Sequence, residues 1–176
     1  MQTGYKCCFT GHRDIAARHA ACLAPVLDNV IAQLISCGVT CLRAGGAVGF
    51  DTIAALKVLE KKSKHPDISL DLNLPCRDQT ARWGDYDREI NSYVLDNADS
   101  ITYTSEQYHR GCMLLRNRKM ADGVDFCVSY CQKSSGGTAY TVEYAKGKGV
   151  KIINVASLCD KKVADALASA VFLNNG

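Results

Sequence analysis

Glycine-rich segments that can cradle an anion occur three times in this chain of 176 residues. Glycine lets backbone amides approach an anion closely, and a helix that starts after such a turn directs free N–H groups toward it. The guanidinium of Arg13 can hold a phosphate through two parallel hydrogen bonds. The three segments therefore predict a pocket for a phosphorylated ligand. Its expected binding residues are Thr10, Gly11, Arg13, Gly45, Gly46, Gly49, Asp51, Gly136, Gly137 and Thr138.

Each of these segments also has a purely structural interpretation. Turns need glycine for positive backbone angles, and Asp51 and Thr138 could serve only as helix caps. Binding is favoured because three such segments follow three predicted strands. The chain lacks the dinucleotide fingerprint GxGxxG in its first turn, since the nearest match begins with Ala44, and it lacks the P-loop pattern GxxxxGK[ST]. Ordinary hydride-transfer enzymes and P-loop hydrolases are therefore disfavoured.

A second set of charged residues raises the question of catalysis. Arg116 and Met120 share one helical face, and Glu143 follows Gly137 by six residues. A carboxylate at position 143 could reach a ribose hydroxyl or stabilise an oxocarbenium-like centre, while Arg116 balances its charge or holds a phosphate. The alternative is a solvated face of salt bridges. Glu143 and Arg116 are thus candidate catalytic residues.

These residues need a scaffold that brings distant turns together. Strand-like and helical segments alternate along the chain, which is typical of a mostly parallel sheet covered on both faces. In such sheets ligands bind beyond the carboxyl ends of the strands. A helix is predicted over Gln79 to Leu95, where Trp83 either packs or stacks on a base. The sequence predicts an α/β fold: a single Rossmann-like three-layer domain over residues 1–176 with a mostly parallel sheet.

The composition of the chain argues against several kinds of binding partner. The net charge of +3 falls short of the clustered Lys/Arg stripe of nucleic-acid-binding proteins, so nucleic acid is not the expected partner. No apolar run reaches the roughly 18 residues of a membrane span. The ten cysteines show no CxxC spacing, so we expect no metal site and no cofactor. The charged first twenty residues predict no secretory signal, reduced thiols and a cytoplasmic location.

Several motifs together resemble a known family. In chain order they are Phe9 to Arg13, Gly45 to Asp51, Pro75-Cys76 with Gln79 and Trp83, Ala98-Asp99, Arg116 to Met120 and Gly136 to Thr138. This combination resembles the YpsA-like family of the SLOG superfamily over nearly the whole chain. That superfamily includes the DNA-processing protein DprA (Smf), the LOG-type nucleotide phosphoribohydrolases and sensor domains that bind NAD-derived signals. The resemblance implies a Rossmann-like fold and a nucleotide-type ligand.

Some of these motifs are similar to DprA and others to the LOG enzymes. The turn from Gly45 to Asp51 and the Arg116-Asn117-Arg118 element are similar to DprA. Arg116 with Met120 is similar to the LOG enzymes, as is a remnant of PGGxGTxxE that ends at Glu143. In that remnant Ser135 replaces the proline, and the glycine before the second threonine is absent. Catalysis requires a carboxylate placed to within about half an ångström, so binding tolerates these departures better.

Three functions remain open at this point. The leading one is a ligand-binding or sensor domain for a nucleotide such as ADP-ribose, with phosphates on the glycine turns and Arg13. The second is an N-glycosidase acting on nucleoside monophosphates, in which Glu143 stabilises the ribosyl cation and Arg116 orients the substrate. The third is single-stranded DNA binding, favoured by the arginine cluster and opposed by the weak net charge. Related domains often pair through helices, so a homodimer is also expected.

Overall fold

The computed structural model describes residues 4–173, and it describes only the backbone of residues 167–173. Strands and helices alternate along this part of the chain, with a short 3₁₀ turn at Ala17–His19. In order the elements are β1 (Tyr5–Gly11), α1 (Leu23–Ser36), β2 (Val39–Ala44), α2 (Phe50–Lys62), β3 (Ser69–Cys76), α3 (Asp85–Asn97), β4 (Ser100–Ser105), α4 (Cys112–Ala121), β5 (Phe126–Tyr130), α5 (Gly137–Gly147), β6 (Lys151–Asn154) and α6 (Val155–Leu173).

The strands form one parallel sheet in the order β4-β3-β2-β1-β5-β6. Strands β1 to β4 are added outward in one direction, and the chain then returns to place β5 on the other side of β1. This reversal creates a crevice beyond the carboxyl ends of β1 and β5, where open α/β sheets bind ligands. The sheet and its helices confirm the Rossmann-like α/β fold.

Apolar residues on both faces of the sheet explain the layered arrangement. In β1, Cys7 and Cys8 point to opposite faces, and both are fully buried. On one face a large core includes Leu27 and Phe50, contributed by α1 and α2, with further residues from α3 and α6. On the other face a smaller core includes Met120 of α4 together with residues of α5. Helix α4 thereby packs on this face of the sheet and lies beside the crevice.

The region after β3 differs from the sequence-based prediction. A helix was expected from Gln79, but residues 77–82 form turns and α3 begins only at Asp85. Gly84 precedes the helix, and Asp85 and Asp87 occupy its first turn, where acidic side chains interact favourably with the helix dipole. Trp83 consequently lies in a loop at the carboxyl edge of the sheet and not on a helix.

The described residues contain no disulfide and no cluster of metal-ligating side chains. All ten cysteines are free thiols, and seven of them are buried. Within the described residues, no three side chains of the His, Cys, Asp and Glu types gather so that they could hold a metal ion. No helix among residues 4–173 is long and apolar enough to cross a membrane.

Candidate functional site

A cavity of about 280 Å³ opens at the topological reversal between β1 and β5. The loops after β1, β2 and β5 form three of its sides, and α4 forms the fourth. Its lining residues are Thr10, Gly11, His12, Arg13, Ala47, Asp51, Met113, Arg116, Asn117, Met120, Gly137 and Thr138. Seven of the residues predicted from the sequence therefore meet in one place, and we call this space the first cavity.

Two helices begin beside the first cavity without side-chain caps. Gly49 precedes α2 and Gly136 precedes α5, and neither position supplies a capping hydrogen bond. The first N–H groups of a helix lack intrahelical acceptors and form the positive end of its dipole. Asp51 and Thr138 lie inside the first turns and are not the cap residues. The N–H of Phe50 already donates to the carbonyl oxygen of His12, so the later first-turn N–H groups of α2 and those of α5 are the backbone donors left for an anion at this site.

Arg116 is a buried cation in the cavity wall. Its side chain is 9% exposed, and Nη1 donates a hydrogen bond to the carbonyl oxygen of Gly45. The same Nη1 lies 3.8 Å from Oδ2 of Asp51, a buried carboxylate that compensates the charge. The Nε–H of Arg116 is buried without an acceptor among the described residues. The guanidinium is thus held in place while part of its hydrogen-bonding capacity is unused.

Gly45 allows this close approach of Arg116. A Cβ atom at position 45 would lie 1.9 Å from Nη1 of Arg116 and 2.6 Å from Oδ2 of Asp51. Neither distance is compatible with van der Waals contact. The glycines of this turn, Gly45, Gly46 and Gly49, together with Gly136, were expected to contact the ligand, but they do not line the cavity. The three glycines of the turn instead permit close packing behind its wall.

Asp51 is an acid whose environment opposes ionisation. Burial raises the pKa of Asp51 to about 6, although Arg116 and the backbone amides of Ala47 and Gly45 favour the carboxylate. The carboxyl group therefore titrates close to neutral pH. A cavity that contains such a group is a recognised setting for acid–base chemistry and for ligand binding that depends on pH.

The raised pKa predicts a specific pH dependence of stability. Between about pH 4 and pH 6 the folded protein holds a proton on Asp51 that the unfolded chain has lost, so the free energy of unfolding falls as pH rises. Protonated Asp51 contributes about 3 kcal/mol to the free energy of unfolding. This contribution is complete below pH 4 and is lost above pH 6. Urea unfolding of wild type and Asp51→Asn across this range isolates the contribution as a difference. Parallel pH profiles would contradict the prediction.

His12 holds the turn after β1 in place. Its Nε2 accepts a hydrogen bond of 3.0 Å from the backbone N–H of Gln132, and its own backbone N–H donates to the carbonyl of Tyr130. Burial and Lys133 lower the pKa of His12, so the imidazole is neutral at neutral pH. The His12 ring therefore links the turn after β1 to the segment that follows β5.

A second cavity of about 560 Å³ lies beside the first. Arg13 and Met113 line both cavities, so the two spaces are neighbours. The loop after β3 supplies most of the remaining wall, including Arg82 and Trp83, and Tyr108 closes it from the loop after β4. Neither the Arg13 nor the Arg82 side chain forms a hydrogen bond or ion pair among residues 4–166, whose side chains the structure describes. Two unpaired guanidinium groups therefore face this region.

Glu143 is not brought to Arg116. Its carboxylate pairs with Lys146 at 2.7 Å, its side chain is 70% exposed, and it lines a separate cleft. The reason is helical phase: Thr138 and Thr141 turn toward the protein interior, and a residue two positions after Thr141 points away from it. The acid that the fold does place beside Arg116 is Asp51. The expected partnership of Glu143 with Arg116 is therefore corrected.

Sequence reasoning singled out Arg116 and Met120 of α4 but missed two further residues of this helix that line the cavity. Met113 and Asn117 lie on the cavity side of this helix, and Nδ2 of Asn117 is 3.5 Å from the carbonyl oxygen of Gly137. An argument based on strand ends does not find residues in the middle of a helix. The spacing of Met113, Arg116, Asn117 and Met120 by three and four residues was the available signal.

Comparison with protein families gives a match over most of the chain. The YpsA model, described as the YspA SLOG family, matches residues 1–154. A UPF0398 protein of Bacillus cereus (strain G9842) is 27% identical over 154 residues, which cover 84% of this chain and 82% of that protein. Another, from strain B4264, is 27% identical over 135 residues, covering 73% of this chain and 71% of its own length.

Two solved structures share the fold. DNA processing protein A of Helicobacter pylori, for which a single-stranded DNA binding mode is described, matches with a TM-score of 0.62 and 18% identity over 85% of this chain. DprA of Streptococcus pneumoniae matches with a TM-score of 0.62 and 17% identity over 85% of this chain. The chain spans only 64% and 49% of those two proteins. At such identities the likeness concerns the fold alone.

Proposed function

This chain belongs to the YpsA family of SLOG proteins, and we propose that it binds a nucleotide-type ligand, such as ADP-ribose or a related NAD product, in the first cavity. The observation that carries the proposal is the meeting of two uncapped helix N-termini with Arg13 and Arg116 in one crevice. Backbone donors at helix starts and guanidinium groups are the recurring means by which proteins hold phosphate.

Charge compensation assigns different tasks to the two arginines. Arg116 is buried against Asp51, so this pair contributes little net charge when both groups are ionised. Arg13 is exposed and unpaired within the described residues, and it therefore supplies the cation that attracts the phosphate. The hydroxyl groups of Thr10 and Thr138, both buried in the lining, provide further donors. The buried pair fixes the wall, and Arg13 with the helix starts binds the anion.

The proposal predicts that Arg13→Ala weakens binding of ADP-ribose and AMP about ten- to a hundredfold, the effect of losing charge-assisted hydrogen bonds. Isothermal titration calorimetry measures this directly. Arg18→Ala is the matched control, because Arg18 lies five residues further along, is exposed and pairs with Asp160 at 3.1 Å. Equal affinity in wild type and Arg13→Ala, or adenosine binding as tightly as AMP, would contradict the proposal.

A second candidate is N-glycosidase activity in the same cavity, with Asp51 in the place that sequence reasoning gave to Glu143. The observation that favours it is a buried carboxyl group whose pKa is raised to about 6, because a general acid or base works best with a pKa near the working pH. Base release from a panel of nucleoside monophosphates tests this candidate. Asp51→Asn and Glu143→Gln show which carboxylate acts, and no release by protein that binds the nucleotide removes the candidate.

Single-stranded DNA is a further candidate, supported by the fold shared with DprA of Helicobacter pylori. That likeness weighs against the sequence-based expectation that nucleic acid is not a partner. A DNA-binding site would lose affinity steeply with added salt, because each neutralised phosphate releases counterions. Fluorescence anisotropy of a labelled dT oligonucleotide between 50 and about 200 mM salt measures this slope. No binding at the lowest salt excludes this candidate.

A further inference from the structure

We infer that the second cavity binds the aromatic base of the nucleotide whose phosphate lies in the first cavity, and that Trp83 and Tyr108 are the stacking surfaces. This inference rests on the proposed function, since it concerns the other end of the same ligand. The phosphate site specifies only the phosphate of the ligand, and the inference adds the base. The ligand class is a nucleotide with an intact base, in contrast to a sugar phosphate.

The position of Trp83 suits its indole to stack on a base. It is half-buried in the loop before α3, where no helical packing accounts for a large aromatic side chain. Among residues 4–166, whose side chains are described, its indole makes no hydrogen bond and no ring contact. Tyr108, on the other side of the cavity, is 63% exposed and likewise has no ring partner in this part of the chain. Unpartnered aromatic faces at a cavity are suited to stacking on a base.

The loops that carry the two aromatic side chains are held in position by hydrogen bonds. The backbone N–H of Tyr108 donates a hydrogen bond of 2.9 Å to Oδ1 of Asp78, which connects the loop after β4 to the loop after β3. Nε2 of Gln79 donates to the carbonyl oxygen of Gly46 at 3.3 Å, which connects the same loop to the glycine turn. The stacking surfaces are therefore linked to the phosphate site before a ligand binds, and this lowers the ordering cost of binding.

The two cavities are continuous, and together they are large enough for a nucleotide. Because Arg13 and Met113 line both cavities, a ligand with its phosphate beside Arg13 can extend directly into the second space. The two volumes together fall in the range of about 300–1,000 Å³ that is typical of small-molecule sites. Arg82 adds an unpaired cation to the same wall, within reach of a second phosphate or of the π-face of a base. The first cavity therefore offers groups that bind phosphate and the second offers aromatic surfaces that bind a base, as a nucleotide requires.

The experiment uses the fact that Trp83 is the only tryptophan in the sequence. AMP and ribose 5-phosphate, which differ only by the base, are titrated into the full chain and followed by calorimetry and by indole fluorescence, with N-acetyltryptophanamide as the optical control. We expect AMP to change the fluorescence saturably and to bind at least about tenfold more tightly than ribose 5-phosphate. Ribose 5-phosphate should bind without a comparable change.

Substitutions extend the test to the individual side chain. Trp83→Ala should weaken AMP binding about ten- to a hundredfold and leave ribose 5-phosphate unaffected, while Trp83→Phe recovers part of the affinity. Tyr86→Ala is the matched control, because Tyr86 is 75% exposed on α3 and lies outside the cavity lining. Circular dichroism confirms that the variants fold.

The outcomes separate the two proposals. If AMP and ADP-ribose bind with no change in indole fluorescence and with equal affinity in Trp83→Ala, the base site is overturned and the proposed function stands. If AMP and ribose 5-phosphate bind equally well, the base also contributes nothing and the inference fails. If neither nucleotides nor ribose 5-phosphate bind, the proposed function fails, and the base site fails with it.

Discussion

Replacing Gly49 with alanine is expected to destabilise the protein by about 3 kcal/mol, because strain and a backbone clash add together. Gly49 has φ +85° and ψ −127°, a conformation that residues with a side chain rarely adopt. A Cβ atom there would lie 2.1 Å from the carbonyl oxygen of Arg13 and 2.5 Å from its Cα atom. These are backbone atoms, which cannot rotate away as a side chain can. Urea unfolding measures the loss.

The same substitution should also disturb the binding site. The backbone N–H of Phe50, the first residue of α2, donates to the carbonyl oxygen of His12 at 3.2 Å, next to the contact with Arg13. Movement at Gly49 therefore separates the turn after β1 from the start of α2. Gly149→Ala is the matched control, since Gly149 has φ +77° and open space around its Cα, so it should cost only about 1 kcal/mol. Equal losses in both variants would show that the contact with Arg13 contributes nothing.

Local sequence patterns were sufficient to predict the fold. Apolar runs such as Tyr5 to Phe9 that alternate with amphipathic segments predicted a parallel sheet, and the structure confirms it. The motifs around Gly45 to Asp51 and Arg116 to Met120 identified the family. The order of the strands depends on contacts between distant segments, which these local patterns do not contain. The homodimer and the cytoplasmic location remain predictions.

The candidate site was predicted in part, and the missing part has a common cause. Residues such as Thr10 and Gly137 follow strands directly, so their location needs no knowledge of helix phase. Glu143 and Trp83 depend on the residue at which a helix begins. Helix α5 starts at Gly137, which turns Glu143 outward, and α3 starts at Asp85, which leaves Trp83 in a loop. The start of α3 and the phase of α5 against the sheet therefore decide which of these side chains reach the site.

The substitution Arg116→Met should destabilise the protein by about 3–5 kcal/mol at pH 8, the cost of leaving one member of a buried ion pair without its partner. Methionine fills much of the same volume, so the loss reports mainly on charge. Arg88→Met is the control, because Arg88 pairs with Asp85 on an exposed helix face, where ion pairs contribute little. Urea unfolding of both variants at pH 8 gives the comparison, and equal losses would contradict the prediction.

The pH dependence of this loss identifies its cause. Without Arg116, the pKa of Asp51 rises above its wild-type value of about 6, so at pH 5 the buried carboxyl is neutral and needs no cation. The destabilisation by Arg116→Met should therefore shrink as the pH falls from 8 to 5. Adding Asp51→Asn to Arg116→Met should restore stability at pH 8 and have little effect at pH 5. A loss that is the same at both pH values, with no recovery in the double variant, would mean that Arg116 stabilises the wall through Gly45 and not through Asp51.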